Sequence, residues 1–291
     1  MSSRTRVLLC MCCVAMPLIV VQSIGMAAEL REVTELYRTG KYAKCVTAAE
    51  NELAKHEFNE NFRLLKLRAE MELGRYADAA VTLDAALKKF GNSIELRWLG
   101  REVCRFNNQP ERAAKLDEEI AQLVKQTPWQ YSDSANRIVL GRFLLNQGAD
   151  PKKVLDATFN YAKKQQPTFV PAFLASGQLA LEKHDFALAA LAFEQAVKLD
   201  PADADAHFGL AQAFAPSEPE KADAAIKAAL ERNPNHVGCL LLIADEHIDS
   251  ERYDDADTVL TQVELINPLH PAIAQVVATT VKRWGFDPRF F

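Results

Sequence analysis

Residues 170–203 read VPAFLASGQLALEKHDFALAALAFEQAVKLDPAD, and this stretch sets a beat that runs through the chain. Its turn segment, His184-Asp-Phe186-Ala-Leu-Ala189, returns as Glu251-Arg-Tyr253-Asp-Asp-Ala256, with Phe186 and Tyr253 67 residues apart. Earlier in the chain, Gly40-Lys-Tyr42-Ala-Lys-Cys45 and Gly74-Arg-Tyr76-Ala-Asp-Ala79 place Tyr42 and Tyr76 34 residues apart. Prolines keep the same step: Pro167, Pro201, Pro234 and Pro268 are separated by 34, 33 and 34 residues. Self-similarity at such a period is the signature of a stacked-repeat architecture, in which each unit buries its apolar face only against its neighbours. The composition agrees. Glycine is scarce at 11 residues, alanine and leucine are abundant, and long β-branched runs are absent, which favours helix throughout.

With these residues in hand, the sequence resembles the tetratricopeptide-repeat family, whose unit is 34 residues folded as two antiparallel helices. Phe173, Gly177, Ala180, Ala189, Phe193, Ala196 and Pro201 fall on the family's pattern positions. So do Leu210, Ala211, Phe214, Ala222, Ile226, Ala229 and Pro234, with one residue deleted at Ser217-Glu-Pro219. Leu240, Ile243, Ala244, Ala256, Leu260, Val263 and Pro268 follow, and Ala79, Leu83, Ala86 and Leu87 carry an earlier match. The resemblance implies an all-α, right-handed superhelical solenoid of antiparallel helix pairs, about seven units long. The residue types have physical reasons. Small residues sit where the two helices of a unit cross closely. The turn carries glycine or a polar residue because the first helix stops there. Proline ends the second helix and pre-sets the next segment.

The middle follows the pattern less well. Leu96, Leu99, Gly100 and Val103 begin a first helix, but its partner around 111–125 is out of step by one residue, opened by Pro110. Pro128-Trp-Gln-Tyr131-Ser-Asp-Ser reads as a non-helical break. The next unit, through Leu140, Gly141, Leu144, Leu155, Phe159 and Ala162 to Pro167, is about five residues too long for the family. The resulting division is a leader over 1–27, tetratricopeptide-like units over 28–127, a longer degenerate unit over 128–169, three well-formed units over 170–270, and a terminal helix with an aromatic tail over 271–291.

The leader reads as a secretory signal peptide. Arg4 and Arg6 precede an apolar run from Val7 to Val21, and Gly25 and Ala27 fit a cleavage site before Ala28 or just after it. The run is shorter than the roughly 20 residues that span a bilayer. The expected destination is periplasmic or secreted, the alternative being an uncleaved N-terminal anchor. Cleavage leaves 32 basic against 39 acidic residues, a net charge of about −7, and no basic face for a nucleic acid. Cys45, Cys104 and Cys239 remain, an odd and widely spaced set that reads as small buried hydrophobes rather than a disulfide framework.

No catalytic constellation emerges. Asp245-Glu246-His247 lacks the second histidine of a zinc-peptidase helix, and neither a phosphate-cradling glycine loop nor a nucleophile elbow is present. The acid-rich stretch Asp245 to Asp257 lacks the spacing of a calcium loop. The six histidines read as solvated turn residues, a metal site from His236, His247 and Asp249 being the sharper alternative. No cofactor and no metal are expected, and the chain is read as a non-enzyme.

In the family, the first helices of the pairs line a concave groove that holds ligands. Carried over residue by residue, its inward positions give Leu64, Leu65, Arg68, Met71, Leu174, Gln178, Leu181, Phe208, Gln212, Leu241, Leu242, Asp245, Ile248 and Asp249. Arg68, Gln178, Phe208, Gln212, Leu241, Asp245 and Asp249 are the candidate binding residues. Gln178, Gln212 and Asp245 share one position in successive units and form an expected ladder for an extended backbone. The lysine, asparagine and arginine clamp of chaperone-binding members is not supplied. The resemblance implies a scaffold or adaptor for a protein or peptide partner. The alternative is the front region of a larger exported enzyme, such as a metallopeptidase, whose catalytic domain is absent. At the end of the chain, Ile273, Val276, Val277 and Val281 have the spacing of another first helix. Trp284, Phe286, Phe290 and Phe291 are expected to form a docking patch for a second copy or a downstream domain.

Overall fold

A computed structural model of the chain describes residues 27–271 and 273. The expected signal peptide and the aromatic tail lie outside the described residues. Fourteen helices follow one another in antiparallel pairs, with no strand among the described residues. The pairs are α1 (27–38) with α2 (Tyr42–Lys55), α3 (Glu60–Glu72) with α4 (Tyr76–Lys89), and α5 (Ile94–Phe106) with α6 (Pro110–Gln126). Next come α7 (Ser134–Asn146) with α8 (151–165), α9 (Val170–Glu182) with α10 (Phe186–Leu199), α11 (Ala204–Phe214) with α12 (Pro219–Arg232), and α13 (Val237–Asp249) with α14 (Tyr253–Ile266). Seven pairs make a tetratricopeptide-type solenoid, as the 34-residue beat requires.

Each element has a local cause. The first helix of most pairs starts on a side-chain cap that satisfies an otherwise orphaned N–H. Ser93 Oγ accepts from Leu96 N–H at 3.0 Å, Asp133 Oδ1 from Asn136 N–H at 3.0 Å, and Asp203 Oδ1 from Ala206 N–H at 2.9 Å. It stops at a left-handed residue at the same phase of the unit: Gly40, Gly74, Asn108, Gly148, His184 or Glu251. The following N–H then reaches back five residues, as Arg75 N–H does to Glu70 C=O at 2.9 Å, closing the helix end.

The core runs along the array as linked clusters. Phe193 on α10 joins two units, packing with Leu210, Ile226 and Cys239. Its ring lies between the glycines of two successive first helices. A Cβ added at Gly177 would lie 2.7 Å from the ring, and one at Gly209 2.2 Å from it. Gly209→Ala is therefore expected to destabilise the array by about 1–3 kcal/mol, read as a lower thermal midpoint, because the ring has no side to retreat to. Cys45, Cys104 and Cys239 are free and buried.

The middle departs from the sequence reading in two places. The Pro128–Tyr131 segment is one turn of 3-10 helix rather than an irregular break, anchored where the buried Tyr131 donates its hydroxyl to Asn92 C=O at 2.9 Å. The larger excess of length falls in the third unit, 40 residues from Ile94 to Ser134. From the start of α7 at Ser134 to that of α9 at Val170 the fourth unit runs 36 residues, two over the beat, and part of that excess is absorbed inside α8, where Leu155–Phe159 winds as a π-helix. The wider turn seats the fully buried Phe159 against Gly141, where an added Cβ would come within 2.3 Å of the ring.

The two ends of the array meet. Asn233 Nδ2 donates to the Tyr42 hydroxyl at 2.9 Å, and Asn235 Nδ2 donates to Gly40 C=O at 3.0 Å. One unit on, Asn267 Nδ2 donates to Met71 C=O and its Oδ1 accepts from the Tyr76 hydroxyl, both at 3.2 Å. Arg38 pairs with Asp200 at 2.6 Å. The first two pairs thus seat against the loops after α10, α12 and α14, and the concave face becomes the inner wall of a closed turn.

Candidate functional site: the inner wall

The first helices carry the candidate residues. Arg68 on α3 is half-buried and donates to Glu95 on α5 at 2.6 Å. Gln178 on α9 is exposed, Gln212 on α11 half-buried, and Asp245 and Asp249 on α13 exposed. Phe208 and Leu241 are half-buried. Leu64, Leu65 and Ile248, placed on the groove by the repeat phase, are instead buried core. Leu64 packs in a cluster with Leu83 and Leu96, Leu65 in one with Cys45 and Phe62, and Ile248 in one with Ala256 and Leu260.

Two hollows divide these residues. One, of about 530 Å³, opens between α5, α7 and α9 and is lined by Trp98, Glu102, Arg105, Arg142 and Gln178 among others. Burial and the like charge of Arg68 pull the Arg142 pKa down. The other, of about 340 Å³, lies where the ends of the array meet. Tyr37 and Glu72 reach it from the first pairs, and Asp205, Phe208, His236 and Leu241 from the last ones. Arg68, Gln212, Asp245 and Asp249 line neither hollow.

The second hollow holds the strongest electrostatics. His236 is buried, where the sequence suggested a solvated turn residue. In the neutral ring Nδ1 accepts from Cys239 N–H at 3.1 Å and caps α13, while Nε2 donates to Asp205 Oδ1 at 3.0 Å; the imidazolium, with both nitrogens protonated, keeps the Asp205 bond and gives up the cap. The Phe208 ring leans on it at 4.8 Å. Burial is the largest single effect and disfavours the imidazolium, but Asp205 and Cys239 together outweigh it and hold the His236 pKa up at about 10. Burial pushes Asp205 up, and His236 more than reverses that, leaving it below the usual range. Glu72 is raised to about 7, first by burial and then by Asp205, and its carboxylate accepts from the Tyr37 hydroxyl at 3.3 Å.

The His236–Asp205 pair gives a pH dependence with a definite sign. The folded histidine titrates above its ordinary value of 6.5, so its stabilisation is complete below pH 6.5 and is lost as pH rises through about 10. Thermal melts between these limits are expected to show a falling midpoint in the native chain. Asp205→Asn should remove that part of the slope. An equal slope in both proteins would count against the pair.

His236 is committed to Asp205 and the helix cap, so it does not join His247 and Asp249. The ligating side chains that converge among the described residues are Glu29, Glu52 and His56, within 4.8 Å. There Lys55 already pairs with Glu52 at 2.8 Å, and His56 with Glu29 at 3.4 Å. No helix among the described residues is long and apolar enough to cross a membrane. Tyr37, Glu72, Asp205 and His236 were not legible as a group in the sequence, because ring closure alone brings them together.

Comparison with known proteins agrees with this architecture. A tetratricopeptide-repeat family model matches residues 30–94 and 174–237. Among solved structures, the human IFIT1 dimer with PPP-AAAA is 14% identical with a TM-score of 0.54, over 84% of this chain and 61% of that one. A tetratricopeptide repeat protein from Parabacteroides merdae is 12% identical with a TM-score of 0.54, over 88% of this chain and 98% of that one. The Cut9–Hcn1 hetero-tetramer of APC/C is 13% identical with a TM-score of 0.51, over 86% of this chain and 48% of that one. At these identities the likeness is one of fold. The chain spans less than two thirds of the IFIT1 and Cut9–Hcn1 chains.

Proposed function

We propose that this protein is a non-catalytic scaffold that holds an extended peptide or protein segment against its inner wall, in the cell envelope after export. The observation that carries the reading is the character of the first helices. They face the centre of the turn with half-exposed apolar side chains, Phe208 and Leu241, beside the polar Arg68, Gln178, Gln212 and Asp245. Such a surface suits a chain that presents both side chains and unpaired backbone. The tetratricopeptide match supports a protein or peptide as the partner. Export rests on the leader pattern of Arg4, Arg6, Val7–Val21 and the Gly25/Ala27 pair.

The test is paired capture from a cell-envelope fraction. The native chain should retain a partner that the triple variant Gln178→Ala, Gln212→Ala, Asp245→Ala loses. All three side chains are exposed or half-buried, so helix content should be unchanged. A partner held equally by both proteins, or a hydrolase activity in the purified chain with no partner, overturns the reading. N-terminal sequencing from the native host should begin at Ala28 or Glu29; an intact Met1 in a cytosolic fraction refutes export.

A further inference from the structure

The seam where the array closes is unlike the interfaces between its consecutive units. Those interfaces are filled by core side chains such as Phe193, Leu83 and Phe159. Among the described residues the contacts at the seam are mainly polar: the amides of Asn233, Asn235 and Asn267 and the Arg38–Asp200 pair. Ile266 is the apolar side chain that crosses to the cluster of the first two pairs, beside Leu36, Tyr37 and Leu73. The fit is close nonetheless. A Cβ added at Gly40 would lie 2.1 Å from Asn233 Oδ1, and one at Gly74 2.4 Å from Asn267 Oδ1.

We propose that the seam is a gate on the inner wall: the first two helix pairs clasp the loops at Asn233 and Asn267, and release them to admit a partner segment from the side.

Two features suit a reversible clasp. First, the asparagines are organised without the seam. Asn233 Oδ1 accepts from Asn235 N–H at 3.0 Å, and Asn267 Oδ1 from Leu269 N–H at 3.3 Å, both within their own loops. What crosses the seam is chiefly the Nδ2 end, which water satisfies when the clasp opens. Second, closure sets like charges face to face. Across the seam Glu72 on α3 feels the charges of Asp205 from α11 and His236 from the cap of α13; on its own side it accepts from Tyr37 on α1 and feels Glu102 on α5. Asp205 is the like charge that closure brings, and the His236 cation answers it only in part. Ionising Glu72 therefore opposes closure. Because closure raises this carboxyl to about 7, the closed form is favoured below the ordinary 4.5 and loosens as pH rises through about 7.

The gate rests on the inner-wall reading for its purpose, since the hollow it closes contains Phe208 and Leu241. Its test needs no partner, so the two readings fail separately. Spin labels at Lys41→Cys and Ala202→Cys, both exposed, report the distance across the seam by double electron–electron resonance. Cys45, Cys104 and Cys239 are buried and should stay unlabelled, and Cys10, Cys12 and Cys13, outside the described residues, are replaced by serine in the labelled protein. The full-length chain should give one short distance at pH 6 and gain a longer population at pH 8, a gain that Glu72→Gln abolishes. Asn233→Ala with Asn267→Ala should shift the closed-to-open ratio about tenfold toward open at unchanged helix content. Should that pair lose helix, Arg38→Glu decides by the same readout, because its half-exposed ion pair with Asp200 makes no part of the core. A distance that stays short in the folded variants and at both pH values overturns the gate.

Discussion

Phe193→Ala is expected to destabilise the array by about 3–5 kcal/mol, a fall of roughly ten degrees in thermal midpoint. The ring is 3% exposed and touches the first helices of two successive units through Gly177 and Gly209. Alanine removes the whole filling, and the two glycines supply no side chain to collapse into the space. In a stacked array each unit is stabilised through its neighbours, so the loss should spread to the last three pairs rather than stay local. Hydrogen exchange would show it as faster exchange across α9 to α13, with α3 to α5 little changed. Phe193→Leu should cost much less. An alanine variant within about 1 kcal/mol of the native chain would mean that the glycine pairing does not organise this region.

The second large effect lies in the middle of the array, where the repeat pattern fades. Arg101 on α5 has a side chain only 3% exposed, pairs with Asp117 on α6 at 2.6 Å, and lies over the Trp98 ring at 4.3 Å. Arg97 and Glu119 form a parallel pair at 2.8 Å. Removing one partner of a buried pair strands the other charge, a loss of about 3–5 kcal/mol. Asp117→Ala is expected near the lower end, because Asp117 is 21% exposed and water reaches part of the site. The informative control is Arg101→Met with Asp117→Leu. Removing both charges should recover most of the stability, since the pair's net value is small while its half is costly. A double variant no more stable than Asp117→Ala, by chemical denaturation, would contradict this account.

The contrast between these sites shows what the sequence makes legible. Gly177 and Phe193 stand at fixed phase in the 34-residue beat, so residue type and spacing alone place them at a helix crossing, whereas Gly209, 32 residues after Gly177, is off that phase and its contact with the ring needs the packing. Arg101 and Asp117 carry no such signal, because α6 is out of step and the pairing follows from how far it slides along α5. The π-turn in α8 is visible in sequence only as excess length. Its purpose, seating Phe159 against Gly141, needs the packing. The inner wall was legible as a set of helix faces, yet repeat phase put Leu64, Leu65 and Ile248 on it, and packing returns them to the core. Least legible was closure. Tyr42 and Tyr76 are 34 residues apart, as are Asn233 and Asn267, but nothing in a periodic pattern says that its two ends touch. Hence His236, a turn residue by position, is in fact buried between them and ion-paired to Asp205.

The central claim is that a partner segment lies along the inner wall. Site-specific photo-crosslinking tests it most directly. A photoreactive residue is placed in turn at Gln178 and Gln212 on the first helices, and at Val81 and Leu191 on exposed stretches of second helices. After irradiation in the native host, the account predicts one partner joined at both Gln178 and Gln212, through a contiguous stretch of its sequence, and nothing specific at Val81 or Leu191. Partner adducts confined to Val81 or Leu191, with the inner positions unreacted, would contradict it.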